Sequence, residues 1–377
     1  MSDATSDLPR WRGGWLNRLV ARPGFQSWAS RFPLTRGQAR KDGAALFDLV
    51  QGFVQSQVLM ALVELDIFRR LRAGPLTAER LGQATDVPVD RMKVLLQAAA
   101  ALRLLKRDRR GRYRLARKGA ALMGVPGLEA MIRHHKAFYA DLADPVGLLR
   151  GPERTQLSEF WPYVFGARGE IDQGVAETYS DLMAQSQRLV AEDTLRLVSL
   201  KGVQRLLDVG GGTGAFLEAA GRTAPELNLM LFDLPQVVPQ AQARFDDAGL
   251  GSRATVHAGS FRDDPLPEGA DAISLIRVLY DHSDETVRAL LASVYRALPE
   301  GGRLIISEPM GGGAAPDAAG DVYFAFYTLA MQTGKARSAE EISDLCREAG
   351  FVGLRSPRPQ RNYVTRVVMA QKPSSIT

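Results

Sequence analysis

The chain of 377 residues contains one cysteine and four histidines. A single thiol, Cys346, cannot close an intrachain disulfide, which excludes a disulfide scaffold and fits a reducing cytoplasm. It lies in the helical pattern Ile342-Ser343-Asp344-Leu345-Cys346-Arg347 and reads as core. Scattered histidines with one cysteine make no ligand cluster, so no metal is expected. No uninterrupted apolar run reaches ~20 residues, so no bilayer-spanning segment is expected. No apolar stretch follows the N-terminal charges as a signal peptide would require. Residues 8–41 lack any acid, although the chain as a whole carries only +6.

That acid-free segment holds Arg10, Arg12, Arg18, Arg22, Arg31, Arg36, Arg40 and Lys41, more than the whole excess charge. It also holds Trp11, Trp15 and Trp28, three of the four tryptophans. Arginine and tryptophan at intervals, with Leu16, Leu19, Val20 and Phe25 between them, suit a segment lying on an anionic membrane surface. An arm packed on a partner subunit or left disordered fits the same composition. With 45% hydrophobic and 24% charged residues the remainder is globular, and its length predicts two domains.

The most informative stretch is Leu206-Leu207-Asp208-Val209-Gly210-Gly211-Gly212-Thr213-Gly214, an apolar strand ending in glycines, followed by a helix from Ala215. Glycines let the backbone turn sharply and a ligand approach it, and the helix start leaves N–H groups free. The next strand, Leu229 to Phe232, ends in Asp233, which can accept both hydroxyls of a ribose. Gly210-x-Gly212-x-x-Ala215 also fits the loose dinucleotide pattern. Asp208, however, would repel a pyrophosphate at that helix, whereas a cationic cofactor reverses the sign. Asp-x-Gly-x-Gly-x-Gly resembles the first motif of class I S-adenosylmethionine-dependent methyltransferases, which implies that cofactor.

Apolar helices begin at about Ala44, Thr77 caps a helix, and Arg91 to Leu105 is another. Leu104 to Asp108, Arg109-Arg110-Gly111 and Arg112 to Leu115 read as strand, turn, strand. Helices followed by a basic hairpin form a winged helix, which raises DNA binding as a rival function. The helix that would read bases, Val89 to Ala100, is mostly apolar and lacks the polar face that base edges need. Residues 121–200 read as a helical linker, with Val175 to Leu197 one long helix carrying Tyr179, Met183 and Ser186 along a face. From Gln204 strands and helices alternate, which implies a parallel doubly wound sheet. Phe351 to Arg355 and Tyr363 to Gln371 should close it as an antiparallel hairpin.

From about Ala44 to its end the chain resembles the plant-type small-molecule O-methyltransferases. The matching residues are Asp208 to Gly214, Phe232-Asp233-Leu234-Pro235, Gly259-Ser260-Phe261, Asp281-His282-Ser283-Asp284-Glu285, Gly301-Gly302-Arg303 and Ser307-Glu308. The resemblance implies an α/β fold: a Rossmann-like class I domain with a mostly parallel seven-stranded sheet over 201–377. It also implies a winged-helix dimerisation domain over 44–120, after a basic arm at 1–43, and hence a homodimer. It places the cofactor on Asp208, Gly210, Gly212, Gly214, Asp233, Leu234, Ser260, Phe261 and Arg277.

The departures limit what carries over. The family's His-Asp-Trp motif, whose His is the general base, reads Tyr280-Asp281-His282 here. Ala336 stands where a second catalytic Glu is expected, and Ser260 replaces the acid that contacts adenine. Arg277-Val-Leu-Tyr280-Asp-His282 and the Arg/Trp-rich arm are most similar to the bacterial hydroxycarotenoid O-methyltransferases. These methylate a tertiary hydroxyl of a long acyclic carotenoid. Methyltransferases acting on a bacteriochlorophyll precursor or an aromatic polyketide are the alternatives.

Methyl transfer mainly requires that nucleophile and methyl be held in line, and an alcohol's proton must leave. The template brings Tyr280, His282 and Glu308 to the site. Tyr280 is expected to orient the hydroxyl and His282 to accept the proton, unless His282 merely caps the next helix. His134 and His135 are alternatives. Trp161, Phe165, Tyr179 and Met183 are expected to line a pocket for a lipophilic substrate. The expected setting is the cytoplasm, peripherally on a membrane.

Overall fold

The computed structural model describes residues 14–151, 154–160 and 186–374. The chain forms two compact units, Met1–Ala120 and Ala121–Thr377.

The first unit opens with two short helices, Gly14–Val20 and Pro23–Ala29. Phe25, Trp28 and Phe32 follow one another in ring contact at 5.6 and 4.7 Å. Helix Arg36–Glu64 follows, so it starts inside the basic arm rather than at Ala44. Over 29 residues this helix is long and apolar enough to cross a membrane. No such segment is expected from the sequence, which has no uninterrupted apolar run of ~20 residues; the helix carries Asp48, Gln51, Gln55 and Gln57 among its apolar residues. Its buried residues, Met60, Leu62 and Val63, sit at its C-terminal end, while Leu49 is 79% and Phe53 71% exposed. An apolar face left open on a protomer calls for a partner surface.

After the short helix Ile67–Arg70 come helices Ala78–Thr85 and Val89–Ala101. The Thr77 side chain caps helix Ala78–Thr85 by accepting the Arg80 N–H. Met92, Leu96 and Ala99 bury one face of helix Val89–Ala101. Strands β1 (Leu105–Arg107) and β2 (Tyr113–Leu115) form the antiparallel wing. Asp108 closes its turn by accepting the N–H groups of Arg110 and Arg112, both at 2.9 Å.

The second unit is built on a seven-stranded sheet. Its strands are β3 (Arg205–Val209), β4 (Asn228–Asp233), β5 (Ala254–Ala258), β6 (Ala272–Ile276), β7 (Arg303–Glu308), β8 (Val352–Arg355) and β9 (Arg366–Gln371). Their order is β5-β4-β3-β6-β7-β9-β8, parallel from β5 to β7, with β9 antiparallel to both β7 and β8. Side chains alternate between two cores: Leu207, Met230, Ile273 and Leu304 lie on one face, Leu206, Leu229, Ala272 and Ile305 on the other. Both faces are therefore covered, as a parallel sheet requires. The last strand starts at Arg366 rather than Tyr363. Arg361 makes a paired contact with the buried Asp193, and its carbonyl accepts the Val364 and Thr365 N–H groups, which holds residues 361–365 in a turn.

Strand order reverses between β3 and β6, so their carboxyl ends flank a crevice, the place where such sheets bind ligands. Helix Leu128–Asp141, a π-helical turn Ala318–Phe324 and helix Ala325–Met331 supply a further cluster with its own core of Phe138, Leu157, Tyr327 and Met331. Residues 186–197, the described part of the long helix expected over Val175–Leu197, are helical.

Candidate active site

The glycine loop leaves β3 at its carboxyl end. Gly212 adopts φ +57° and a Cβ there would meet open space, so the loop presents bare backbone. Gly214 adopts φ +77°, and a Cβ there would lie 2.7 Å from the Phe245 ring. Glycine is thus required once for access and once for packing against helix Val238–Asp247.

Two acids flank the loop. Asp208 sits on β3 directly opposite Ser274 of β6, whose hydroxyl donates to Oδ1 at 2.6 Å. Oδ2 is buried with no partner. Burial raises this carboxyl to about 8, against the Ser274 hydrogen bond, and the nearby Asp233 charge adds to the rise. Asp233 ends β4. Its Oδ2 accepts the Gly212 N–H at 2.6 Å and Oδ1 accepts the Leu234 N–H at 2.7 Å. Burial also raises Asp233, against those two hydrogen bonds.

The residues fit S-adenosylmethionine. A buried carboxylate oxygen without a donor suits a cofactor that brings cationic N–H and sulfonium groups. Each Asp233 oxygen keeps a lone pair for a ribose hydroxyl. Beyond β5, Ser260 organises its own turn: its hydroxyl accepts the Arg262 N–H at 3.3 Å, while Asp264 accepts the Ser260 N–H at 2.8 Å. Phe261 packs edge-on to His282 with ring centroids 5.3 Å apart.

Arg277, just after β6, adopts φ +60°, a strained conformation for arginine. Its amide is held by the Ser307 carbonyl at 2.8 Å. Its guanidinium donates to the Ser186 hydroxyl at 2.7 Å and to the Tyr280 hydroxyl at 3.4 Å. The side chain thus meets both Ser186 and Tyr280. Tyr280 is buried, which lifts its phenol to about 12, with Asp281 adding to the rise and Arg277 opposing it. Tyr280 remains protonated at neutral pH.

Glu308 is completely buried at the end of β7. Oε2 accepts the backbone N–H of Tyr280 at 3.1 Å, and Oε1 has no partner. Burial raises the carboxyl to about 8, against the Arg337 charge and the backbone hydrogen bonds. Glu308 therefore acts on the backbone of the Tyr280 turn. Asp281, with Oδ1 buried and unpartnered, is raised by burial to about 7, opposed by Arg277.

The structure gives His282 a different place from the one expected. Its Nδ1 lies 3.0 Å from a guanidinium nitrogen of Arg262. Guanidinium only donates, so Nδ1 is the acceptor and Nε2 carries the proton. Burial, with the Arg262 and Arg337 charges, lowers the imidazole to about 4. In this arrangement the lone pair of the neutral ring is engaged by Arg262. The ring does not cap the next helix: Ser283 does, accepting the Thr286 N–H.

Sequence reasoning missed Arg337. It is fully buried, donates to the carbonyls of Leu279 and His282 at 2.8 Å, and pairs with Asp284 at 2.7 Å. Beside it, Lys335 donates its N–H to the Tyr280 carbonyl at 2.9 Å, and Gly334 passes so close that a Cβ would meet that carbonyl at 2.1 Å. In that segment Ala336 alone stood out in the sequence, and nothing local marks Arg337 as a clamp. Tyr323 and Tyr327 were also missed, although their spacing of four on one helical face was visible. They meet the histidines kept as alternatives: His135 Nε2 lies 2.6 Å from the Tyr323 hydroxyl and His134 Nε2 2.8 Å from that of Tyr327. Trp161, Phe165, Tyr179 and Met183 lie outside the described residues. Among the described residues no group of three or more His, Cys, Asp or Glu could hold a metal ion.

Comparison with known proteins agrees with this geometry. Residues 139–352 match the O-methyltransferase domain family, and residues 47–124 match the O-methyltransferase dimerisation domain. The chain is 56% identical over 357 residues to the demethylspheroidene O-methyltransferase of Cereibacter sphaeroides, covering 95% of this chain and 94% of that one. It is 54% identical over 361 residues to the enzyme of the same name from Rhodobacter capsulatus, covering 96% and 90%. Human N-acetylserotonin methyltransferase, solved in complex with SAM, shares the fold at a TM-score of 0.75 and 24% identity, over 88% of this chain and 98% of that one.

Proposed function

This chain belongs to the dimerising O-methyltransferase family, and we propose that it methylates the tertiary 1-hydroxyl of an acyclic hydroxycarotenoid. The observation that carries the reading is the similarity, over nearly the whole chain, to two enzymes named for demethylspheroidene. The methyl donor is S-adenosylmethionine. Bound, it supplies a methyl group activated for displacement by its sulfonium. Asp208, the loop from Gly210 to Gly214, Asp233, Leu234, Ser260 and Phe261 are the residues we assign to hold it. His282 joins them through Phe261 and Arg262.

We assign the acceptor side to Tyr280, Arg277, Ser186 and the aromatic cluster of Phe138, Tyr323 and Tyr327. Tyr280 orients the hydroxyl through its own protonated phenol, which Arg277 holds in place. Glu308 and Arg337 fix the backbone of the turn that carries Tyr280, from opposite polar groups: one takes its N–H groups, the other its carbonyls. Holding alcohol and methyl in line supplies most of the acceleration, since well-oriented reactions gain roughly 7–11 kcal/mol.

We also assign the basic arm to a membrane surface, where a carotenoid is dissolved. Trp15 is 62% and Trp28 50% exposed; Trp15 shares its short helix with Arg18, and Trp28 lies on a short helix flanked in sequence by Arg22 and Arg31. Trp11 and the residues before it lie outside the described part.

Purified protein incubated with a hydroxycarotenoid and labelled S-adenosylmethionine should add one methyl group, seen by mass spectrometry. Methylation of a tetrapyrrole or an aromatic polyketide, with none of the carotenoid, would overturn the substrate and leave the family in place.

A further inference from the structure

Two elements of the second unit meet through paired side chains. Helix Leu128–Asp141 carries His134 and His135 side by side. The π-helical turn Ala318–Phe324 runs into helix Ala325–Met331 and places Tyr323 and Tyr327 four residues apart. Their rings stack at 6.0 Å, and Phe138 packs edge-on to both, at 6.2 and 5.4 Å. His135 Nε2 and the Tyr323 hydroxyl are 2.6 Å apart. π-Helical turns are rare and occur often at functional sites. This one is pinned by Asp321, which accepts the N–H groups of Gly312 and Asp317, and by Gly320, where a Cβ would meet the Met310 carbonyl at 2.2 Å.

The cluster borders the Tyr280 turn. Helix Ala325–Met331 packs against Leu279–Asp281. Burial, the larger effect, holds the Tyr323 phenol protonated, opposed by the nearby Arg277 charge. Burial lowers His135 to about 4, so its imidazole is neutral and offers one lone pair. Since Nε2 faces a phenol that must donate if it is to relay, the ring proton belongs on Nδ1. No such lone pair remains on His282, whose Nδ1 is taken by Arg262.

We propose that Tyr323, backed by His135, is the group that takes the proton of the substrate hydroxyl. The proposal rests on hydroxyl methylation as the reaction. A tertiary alcohol is too weak an acid to ionise before it attacks. Its oxygen lone pair forms the new O–C bond while the C–S bond breaks and its electron pair leaves on sulfur. The oxygen thereby becomes an oxonium, which is strongly acidic, so even a weak neutral base suffices. The oxonium proton passes to the Tyr323 oxygen as the phenol proton passes to His135 Nε2. The phenol is restored in the same step, and the imidazolium then releases one proton to solvent. Tyr323 touches the substrate and is the catalytic residue; His135 acts through it.

The test uses the full-length homodimer with hydroxycarotenoid in detergent micelles. Tyr323→Phe removes one oxygen and keeps the ring, and His135→Asn removes the basic Nε2. Each should lower kcat by 10²–10⁴-fold, the range of a lost general base, with the Kd for S-adenosylhomocysteine within error of wild type and the Tm lowered by no more than the loss of one hydrogen bond. The double variant should be no slower than the worse single variant, because a relay needs both members. If Tyr323→Phe keeps kcat within about twofold of wild type, or if the two losses multiply, the relay is wrong while hydroxyl methylation stands. If wild type methylates no hydroxycarotenoid, the substrate reading falls and takes the relay with it.

Discussion

Asp233 holds Gly212: its Oδ2 accepts the Gly212 N–H at 2.6 Å and closes the glycine loop onto the end of the neighbouring strand. The same carboxylate is the expected acceptor for ribose. Asp233→Ala therefore loses a ligand contact and a loop anchor together. Hydrogen bonds to charged groups contribute about 1.5–3 kcal/mol each, so the Kd for S-adenosylhomocysteine should rise by at least tenfold in calorimetry. An unchanged Kd would remove Asp233 from the binding site.

Asp208 is expected to make cofactor binding a proton-linked event. Its carboxyl stands at about 8 in the protein against an ordinary 3.8. The folded state thus binds this proton more tightly than the unfolded chain does. Its contribution to stability is complete below pH 3.8 and lost as pH rises through about 8. A cation beside Oδ2 favours the ionised form, so binding at pH 7 should release a proton, less above pH 8. Calorimetry in buffers of different ionisation enthalpy measures this, and Asp208→Asn should abolish the release. Absence of release in wild type at pH 7 would show that no cation approaches Asp208.

Arg337 ties the Leu279 and His282 carbonyls to Asp284 from a fully buried position. Arg337→Met leaves both carbonyls without this donor. Removing one partner of a buried pair costs about 3–5 kcal/mol, and Asp284, being 40% exposed, puts this case at the low end. The Tm should fall by roughly 6–12 °C, and turnover should fall further than cofactor affinity, because the Tyr280 turn loosens. A thermal shift within error of wild type would show the clamp to be dispensable.

The open face of helix Arg36–Glu64 is where the dimerisation domain begins. Leu49→Asp with Phe53→Asp puts two charges on residues 79% and 71% exposed in the protomer. Exposed substitutions cost the protomer little, whereas charges buried in an interface are expensive. Sedimentation at micromolar concentration should turn from dimer to monomer. A dimer that survives both charges would place the interface elsewhere.

Removing residues 1–35 deletes Trp11, Trp15, Trp28 and five of the arm's eight basic residues and spares helix Arg36–Glu64. Each basic residue near an anionic surface contributes about 1 kcal/mol. Flotation with anionic liposomes should be lost and cofactor binding kept. Flotation equal to that of the full chain would exclude the arm as the membrane contact.

Periodicity and glycine placement made the architecture legible from sequence. The alternation of strands with helices, the acid-flanked glycine loop and the terminal hairpin all depend on local backbone preference, and local preference is written in neighbouring residues. Cofactor candidates were legible for the same reason: Asp208, Gly212 and Asp233 sit at fixed distances from strand ends. Element ends were less so, because the turn at residues 361–365 depends on Asp193, far away in the chain.

What tertiary structure alone decided is which polar groups meet. Tyr280 and His282 are two residues apart in sequence, yet one phenol faces Arg277 and the other ring faces Arg262 and Phe261. Arg262 engages the lone pair on which a base at His282 would depend. His135 gained a partner 188 residues away in Tyr323. Arg337 became a buried clamp because the turn at 279–282 closes over it. A proton acceptor is defined by a free lone pair in a stated place. Sequence specifies the group that could carry it, and only the packed fold settles whether another donor has already taken it.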